Sequence, residues 1–63
     1  MKVAIVMGSI SDKGIGDKVA KILDKFQVQY EMRVISAHRT PYKAIAFAQK
    51  AEENGFEVII AIA

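Results

Sequence analysis

The chain has 63 residues, no cysteine, and a net charge of +2 from nine basic and seven acidic residues. This length allows one small domain, and such a chain buries only about 60% of the surface that it exposes when unfolded. The small net charge argues against nucleic acid as a partner, and no disulfide or thiolate metal site is available. With 52% hydrophobic residues, the composition predicts more apolar surface than one small core can cover. We therefore expect self-association or a missing remainder.

No targeting or membrane signal is recognisable in the sequence. The apolar runs at residues 3–7 and 58–63 are too short for a signal peptide or a membrane span. Together with the absence of cysteine, this predicts a cytoplasmic protein with no membrane partner.

The first half of the chain predicts a strand followed by a helix. Residues 3–7 form a continuous apolar run, typical of a strand covered on both faces. After a turn at residues 8–12, apolar residues at helical spacing predict a helix over 12–26. Its apolar stripe consists of Ile15, Val19, Ile22, Leu23 and Phe26. Gly14 and Gly16 each weaken this helix by up to about 1 kcal/mol relative to alanine, so we expect a mobile helix start.

The second half predicts strand, helix and strand. Residues 30–35 alternate between apolar and polar, which is typical of an edge strand with one wetter face. Thr40 is a good N-cap and Pro41 a good first residue for a second helix, and Gly55 suits a left-handed cap after it. The predicted buried stripe of this helix consists of Ala44, Ile45, Phe47, Ala48 and Ala51. Residues 57–63 predict an apolar third strand that is covered on both faces.

The order β-α-β-α-β predicts an α/β fold with a parallel sheet and right-handed crossovers. The patterns predict cover on both faces for the first and third strands and an edge position for the middle one. We therefore expect the strand order 2-1-3, with the helices on opposite faces. This is the first half of a flavodoxin-like, Rossmann-like doubly wound fold, formed here by residues 1–63 as a single unit. Ligands of such folds bind beyond the carboxyl ends of the strands, where two polar loops lie side by side.

The loop after the first strand, residues 8–12, contains Gly8, Ser9, Ser11 and Asp12. Hydroxyls and free backbone N–H groups at a helix start are suited to phosphate, and a carboxylate there can accept hydrogen bonds from ribose. The alternative is that Ser11 or Asp12 only caps the helix. The loop lacks the lysine of a Walker loop and the three glycines of the dinucleotide motif.

The loop after the middle strand contains the only histidine, His38, beside Arg39. A proton carrier next to a planar cation can hold an anionic substrate and move a proton on it. The alternatives are an ordinary loop histidine and a solvated arginine. Ser36 and Thr40 likewise have simpler interpretations, as a strand terminator and a helix cap.

Two other kinds of site are weakly supported. A hydrolase triad of Ser9, His38 and Asp12 would lack the nucleophile elbow that such enzymes use. One histidine with one nearby aspartate is too few ligands for a metal ion. We therefore expect no metal ion.

Three segments, residues 3–12, 36–41 and 51–55, together resemble the beginning of the N5-carboxyaminoimidazole ribonucleotide mutase family, often called PurE. The paired motifs Gly-Ser-x-Ser-Asp and Ser-Ala-His-Arg-Thr-Pro carry the resemblance, which extends over essentially the whole chain. It implies a homo-oligomer, octameric in the family, and a cofactor-free isomerase of purine biosynthesis. Arg39 directly after His38 resembles the mutase class more than the related carboxylase class.

The resemblance also implies roles for individual residues. Ser9, Ser36 and Arg39 would bind the substrate phosphate, and Asp12 the ribose. Ser11 and Ala37 would line the pocket. His38 would carry a proton while the carboxylate moves from the exocyclic nitrogen to the ring carbon.

Members of the family are about two and a half times as long as this chain, and the resemblance places a glycine-rich loop with another histidine directly after Ala63. We therefore expect an N-terminal portion that is inactive alone and self-associates through apolar surface. The alternative function is a non-catalytic fragment or minimal phosphate-binding module derived from the family.

Overall fold

The computed structural model describes residues 1–63, which form three strands and two helices. Strand β1 spans Lys2–Met7 and is followed by a single 3-10 turn, Ile10–Asp12, and helix α1, Lys13–Lys25. Strand β2 spans Gln29–Val34, helix α2 spans Pro41–Lys50, and strand β3 spans Val58–Ile62. Neither helix is long and apolar enough to cross a membrane.

The three strands form one parallel sheet in the order β2-β1-β3, which confirms the predicted flavodoxin-like half. Strand β1 pairs with β2 from Lys2 opposite Gln29 to Met7 opposite Val34. It pairs with β3 from Val3 opposite Val58 to Met7 opposite Ile62. The central strand is apolar on both faces because both faces are buried against other parts of the chain.

Each face of β1 packs on a different helix. Ile5 and Met7 contact Ala20 of α1 on one face. On the other face, Ala4 packs with Ala51 and Phe56, which follow α2. The two helices therefore lie on opposite faces, as the strand order requires.

Helix α1 approaches the sheet through its small residues, which the sequence pattern did not predict. Gly16 and Ala20 are buried, and Val19 and Leu23 are half-buried against them. The predicted stripe is only partly correct, because Ile15, Ile22 and Phe26 are exposed. A β-carbon on Gly16 would lie 2.6 Å from the sulfur of Met7, so the glycine permits a close approach of helix and sheet.

The coverage predicted for the second helix is only partly correct, since Ala51 after α2 is buried, and the coverage predicted for β3 is wrong for these 63 residues. No residue of α2 is buried; Phe47 and Ala44 are half-buried, whereas Ile45 and Ala48 are exposed. Val58 and Ile59 of β3 are 43% and 45% exposed. The reason is that neither helix packs closely over β3, which lies at the edge of the sheet beyond β1.

The turn that leads from α2 into β3 has the predicted glycine geometry. Gly55 has φ = +88°, the left-handed conformation that glycine adopts without steric cost. Its neighbour Phe56 donates its N–H to the carbonyl of Ala51 at 2.9 Å and stacks on Phe47 with ring centroids 5.6 Å apart. These contacts fix the end of α2 to the sheet.

Candidate functional site

The loops that follow β1 and β2 begin at the same level of the sheet. Met7 and Val34 end their strands opposite each other, and the N–H of Ile35 donates to the carbonyl of Met7 at 2.9 Å. The N–H of Gly8 donates to the carbonyl of Ile62 in β3 at 3.0 Å. Both polar loops therefore emerge side by side from the carboxyl edge of the sheet.

The loop after β1 is organised by the carboxylate of Asp12. Its Oδ2 atom accepts the backbone N–H of Ser9 at 3.3 Å and lies 3.5 Å from the Ser9 hydroxyl. The hydroxyl oxygens of Ser9 and Ser11 are 2.6 Å apart. Asp12 thus closes the turn Ile10–Asp12 from its third position, where Ser9 is the N-cap residue. It makes no side-chain cap hydrogen bond to helix α1, so the simple prediction that Ser11 or Asp12 caps that helix is not confirmed.

The loop after β2 is organised around Ser36. Its Oγ atom accepts the backbone N–H of Arg39 at 3.1 Å, and its carbonyl accepts the N–H of Thr40 at 2.8 Å. The Thr40 hydroxyl also donates to the Ser36 carbonyl, at 2.8 Å. Thr40 is the N-cap residue, but its side chain makes no cap hydrogen bond because it bonds backwards to Ser36. Pro41 occupies the first helical turn, as predicted.

The two loops enclose an open cleft of about 650 Å³ at the carboxyl edge. Five of the seven predicted site residues line it: Ser9, Ser11, Ser36, His38 and Arg39. Ala37 is exposed and does not line the cleft. Asp12 also stands outside the lining, although its Oδ2 atom lies close behind Gly8, 3.7 Å from where a β-carbon would be.

The cleft also contains residues that the sequence did not assign to a site. They are Gly8, Ile10, Val34, Thr40 and Lys43. Gly8 and Thr40 belong to the two motifs, so their positions in the loops could have indicated that they line the cleft. Lys43 gave no signal, because a lysine in the first turn of a helix is ordinarily a solvated surface residue.

The charged side chains that line the cleft are all positive. Two permanent cations, Arg39 and Lys43, line it, and no carboxylate does. The ion pairs of the chain involve Lys2, Lys13, Arg33 and the N-terminus, so neither cleft cation is neutralised by a protein carboxylate. Hydroxyls and an exposed imidazole lie beside these cations, and groups of this kind are chemically suited to a small anion.

A parallel α/β unit with strand order β2-β1-β3 and a polar cleft beyond the carboxyl ends of its strands is a flavodoxin-like half, the class of fold in which ligands bind at that edge. Comparison with known sequences narrows this class. Residues 2–63 match the model of the family described as AIR carboxylase, and the chain belongs to that family.

Curated relatives agree with this assignment. The chain is 57% identical over 60 residues to a protein of Pyrococcus abyssi, covering 95% of this chain and 34% of the relative. It is 52% identical over 60 residues to a protein of Escherichia coli K12, covering 95% of this chain and 36% of the relative. Both relatives are named N5-carboxyaminoimidazole ribonucleotide mutase. The chain thus spans about a third of the length of these relatives, and the resemblance inferred from its motifs is confirmed.

Proposed function

We propose that this chain contributes the phosphate-binding cleft and the proton-transferring histidine of an N5-carboxyaminoimidazole ribonucleotide mutase. In this reaction the bond between the exocyclic nitrogen and the carboxylate breaks, and CO2 leaves as the nitrogen gains a proton. The ring carbon C4 then attacks CO2 and loses its proton. A single group can serve both steps if it gives its proton to the nitrogen in the first step and takes the proton from C4 in the second.

One observation carries the proposal: side chains from two loops that are far apart in sequence line one cleft that has cations but no carboxylate. Arg39 offers a planar fork that fits two phosphate oxygens, and the Ser9 and Ser36 hydroxyls are suitable additional donors. Asp12, which lies behind the cleft lining, would accept ribose hydroxyls with the lone pairs that Ser9 leaves free. Ser11 would line the pocket, whereas Ala37 lies outside its lining.

His38 is the proposed proton carrier. It lies next to Arg39 in the turn before α2, and both side chains line the cleft. An imidazole exchanges its proton near neutral pH, which suits a group that must both donate and accept within one turnover. Substrate held by Arg39 would place its base near the neighbouring imidazole.

The 63 residues alone are expected to lack catalytic activity, because the relatives are about three times as long. We expect a chain that binds the ribonucleotide without turning it over. We further propose nucleotide binding without metal or organic cofactor, a cytoplasmic location and a homo-oligomeric assembly, all on the resemblance to the family.

The decisive experiment is a calorimetric titration with aminoimidazole ribonucleotide. Arg39→Ala should weaken binding by about 1.5–3 kcal/mol, the range for hydrogen bonds to charged groups. The matched control is Arg33→Ala, because Arg33 lies on β2 outside the cleft and pairs with Glu31 at 3.0 Å. Equal affinities for wild type and Arg39→Ala would rule out the assignment of Arg39 to the phosphate.

A non-catalytic phosphate-binding module is the alternative candidate function. It would need only the cleft between the two loops, which these residues contain. A chimera that joins residues 1–63 to the remaining two thirds of the Pyrococcus abyssi protein distinguishes the mutase from the phosphate-binding module. Turnover by the chimera supports the enzyme; binding without turnover supports the module.

A further inference from the structure

Lys43 is a cation in the cleft that the proposed function has not used. It lies in the first turn of α2, and its backbone N–H donates to the carbonyl of Thr40 at 3.1 Å, which fixes the turn. Its side chain lines the cleft together with Arg39, and its ammonium group is in no ion pair. Lys13 of α1 differs, because it is paired with Asp17 at 3.1 Å and lies outside the cleft.

The chemistry of the two cations is complementary. A guanidinium binds two oxygens of a phosphate in one plane, but it supplies a single positive charge. A phosphate monoester carries close to two negative charges above its second pKa of about 6. A compact ammonium on a flexible stem can neutralise the remaining charge without a strict geometry.

We infer that Lys43 makes the cleft selective for dianionic phosphate monoesters over monoanionic phosphates. The inference rests on the proposed phosphate site and adds to it a residue that determines the preferred ligand charge. Lys43 acts in binding and takes no part in proton transfer. Because the side chain reaches the ligand across an open cleft, its contribution has the size of an exposed ion pair.

The test compares two probes at pH 8: ribose 5-phosphate, a dianion, and its methyl phosphodiester, a monoanion. We expect the wild-type chain to prefer the monoester. Lys43→Gln should weaken monoester binding by about threefold to fivefold, the effect of losing one exposed ion pair, and leave the diester nearly unchanged. Lys43→Arg should keep the preference, because it keeps the charge.

Lys50→Gln is the matched control, since Lys50 lies on the same helix in its last turn and outside the cleft. It should bind both probes like the wild type. Circular dichroism of each variant should match the wild type, because both lysines are exposed.

The outcomes separate this inference from the function on which it rests. If Arg39→Ala weakens both probes while Lys43→Gln binds them like Lys50→Gln, the phosphate site stands and the role of Lys43 is wrong. If the wild-type chain binds neither probe, the phosphate site and the role of Lys43 are both wrong.

Discussion

The Oγ atom of Ser36 accepts the backbone N–H of Arg39 at 3.1 Å, so the serine holds the arginine in the turn before α2. Ser36 is half-buried at the end of β2, whereas Arg39 is exposed in the cleft. The bond fixes the backbone from which the Arg39 side chain enters the cleft. The proposed phosphate ligand Ser36 would have two functions, one toward the ligand and one toward its neighbour in the loop.

Ser36→Ala should therefore loosen the loop even without ligand. Loss of a single neutral hydrogen bond costs about 0.5–1.5 kcal/mol, which predicts up to about tenfold faster hydrogen exchange at the Arg39 amide. Amide exchange measured by NMR checks this, with Ser11→Ala as the control because the Ser11 hydroxyl contacts only Ser9. An unchanged exchange rate at Arg39 would show that the bond does not order the loop.

Replacement of His38 separates chemistry from binding. In the chimera with the Pyrococcus abyssi protein, His38→Asn should keep the affinity for the ribonucleotide and abolish turnover, because asparagine forms hydrogen bonds but does not exchange a proton near neutral pH. Steady-state kinetics and calorimetry on the same preparation measure both quantities. Turnover by His38→Asn at the wild-type rate would exclude His38 as the proton carrier.

The sequence was sufficient for the topology and for much of the site. The apolar run at residues 3–7 and the alternation at 30–35 predicted the central and edge strands, because burial on two faces or one leaves these patterns. Because parallel neighbouring strands end at the same edge of the sheet, the two polar loops that follow them had to lie side by side. His38, Arg39 and Ser9 were predicted to share one cleft, and all three line it.

The predictions that were wrong concern which residues of α1 and β3 are buried. Burial depends on the distances between helices and sheet, and the periodicity of a sequence does not give those distances. Ile22 fits a helical stripe, yet Gly16 and Ala20 face the sheet because only small residues allow α1 to approach Met7. An apolar strand was assumed to be covered, but β3 has one neighbour and remains exposed. Lys43 entered the cleft only because the loop before α2 directs the first turn of the helix toward it.

Gly14 and Gly16 form an internally controlled pair in α1. A β-carbon at Gly16 would lie 2.6 Å from the buried Met7 sulfur and 3.0 Å from the Met32 methyl, whereas Gly14 has no atom within 4 Å. Gly14→Ala should stabilise the chain by up to about 1 kcal/mol through helix propensity. Gly16→Ala gains the same propensity but overpacks the contact, at a cost of about 1–3 kcal/mol.

Urea unfolding followed by circular dichroism checks the pair. We expect the midpoint to rise for Gly14→Ala and to fall for Gly16→Ala. If both midpoints rise, the methionines have rearranged without cost, and the close approach of helix and sheet does not depend on glycine.

An ion-pair cluster on β1 and β2 gives the fold an acid-sensitive element. Lys2 and Arg33 contact the carboxylate of Glu31 at 2.8 and 3.0 Å. The hydrogen bond from Lys2, and after it the one from Arg33, holds the pKa of Glu31 below its usual value. Because the pKa is lowered in the folded chain, these ion pairs contribute their full stabilisation when the pH is above the unfolded-state pKa of about 4.3. That stabilisation is lost as the pH falls through the lower folded-state pKa.

Glu31→Gln should consequently be less stable than wild type at pH 7, and the difference should shrink as the pH falls below about 4. Urea unfolding at a series of pH values measures the difference. Glu53→Gln is a suitable control, since Glu53 is exposed and forms no ion pair. Parallel pH profiles for wild type and Glu31→Gln would contradict the stabilising effect of the cluster.

The free edge of β3 predicts how the 63 residues behave in isolation. Strand β3, Val58–Ile62, contains no charge and no proline, pairs only with β1, and leaves Val58 and Ile59 exposed. Unpaired apolar edges of this kind associate with other strands, and charged residues such as lysine prevent it. We therefore expect the chain to sediment as a species larger than 6.9 kDa.

Ile59→Lys should shift this species toward the monomer, because the charge would have to be desolvated in any strand pairing at the edge. Ile22→Lys tests the other exposed apolar surface, on α1, and should have a smaller effect because a helix face offers no unpaired backbone groups. Sedimentation velocity over a range of concentrations measures both. A wild-type chain that is monomeric and unfolds cooperatively would contradict self-association, and a larger effect of Ile22→Lys would place the contact on α1 instead of β3.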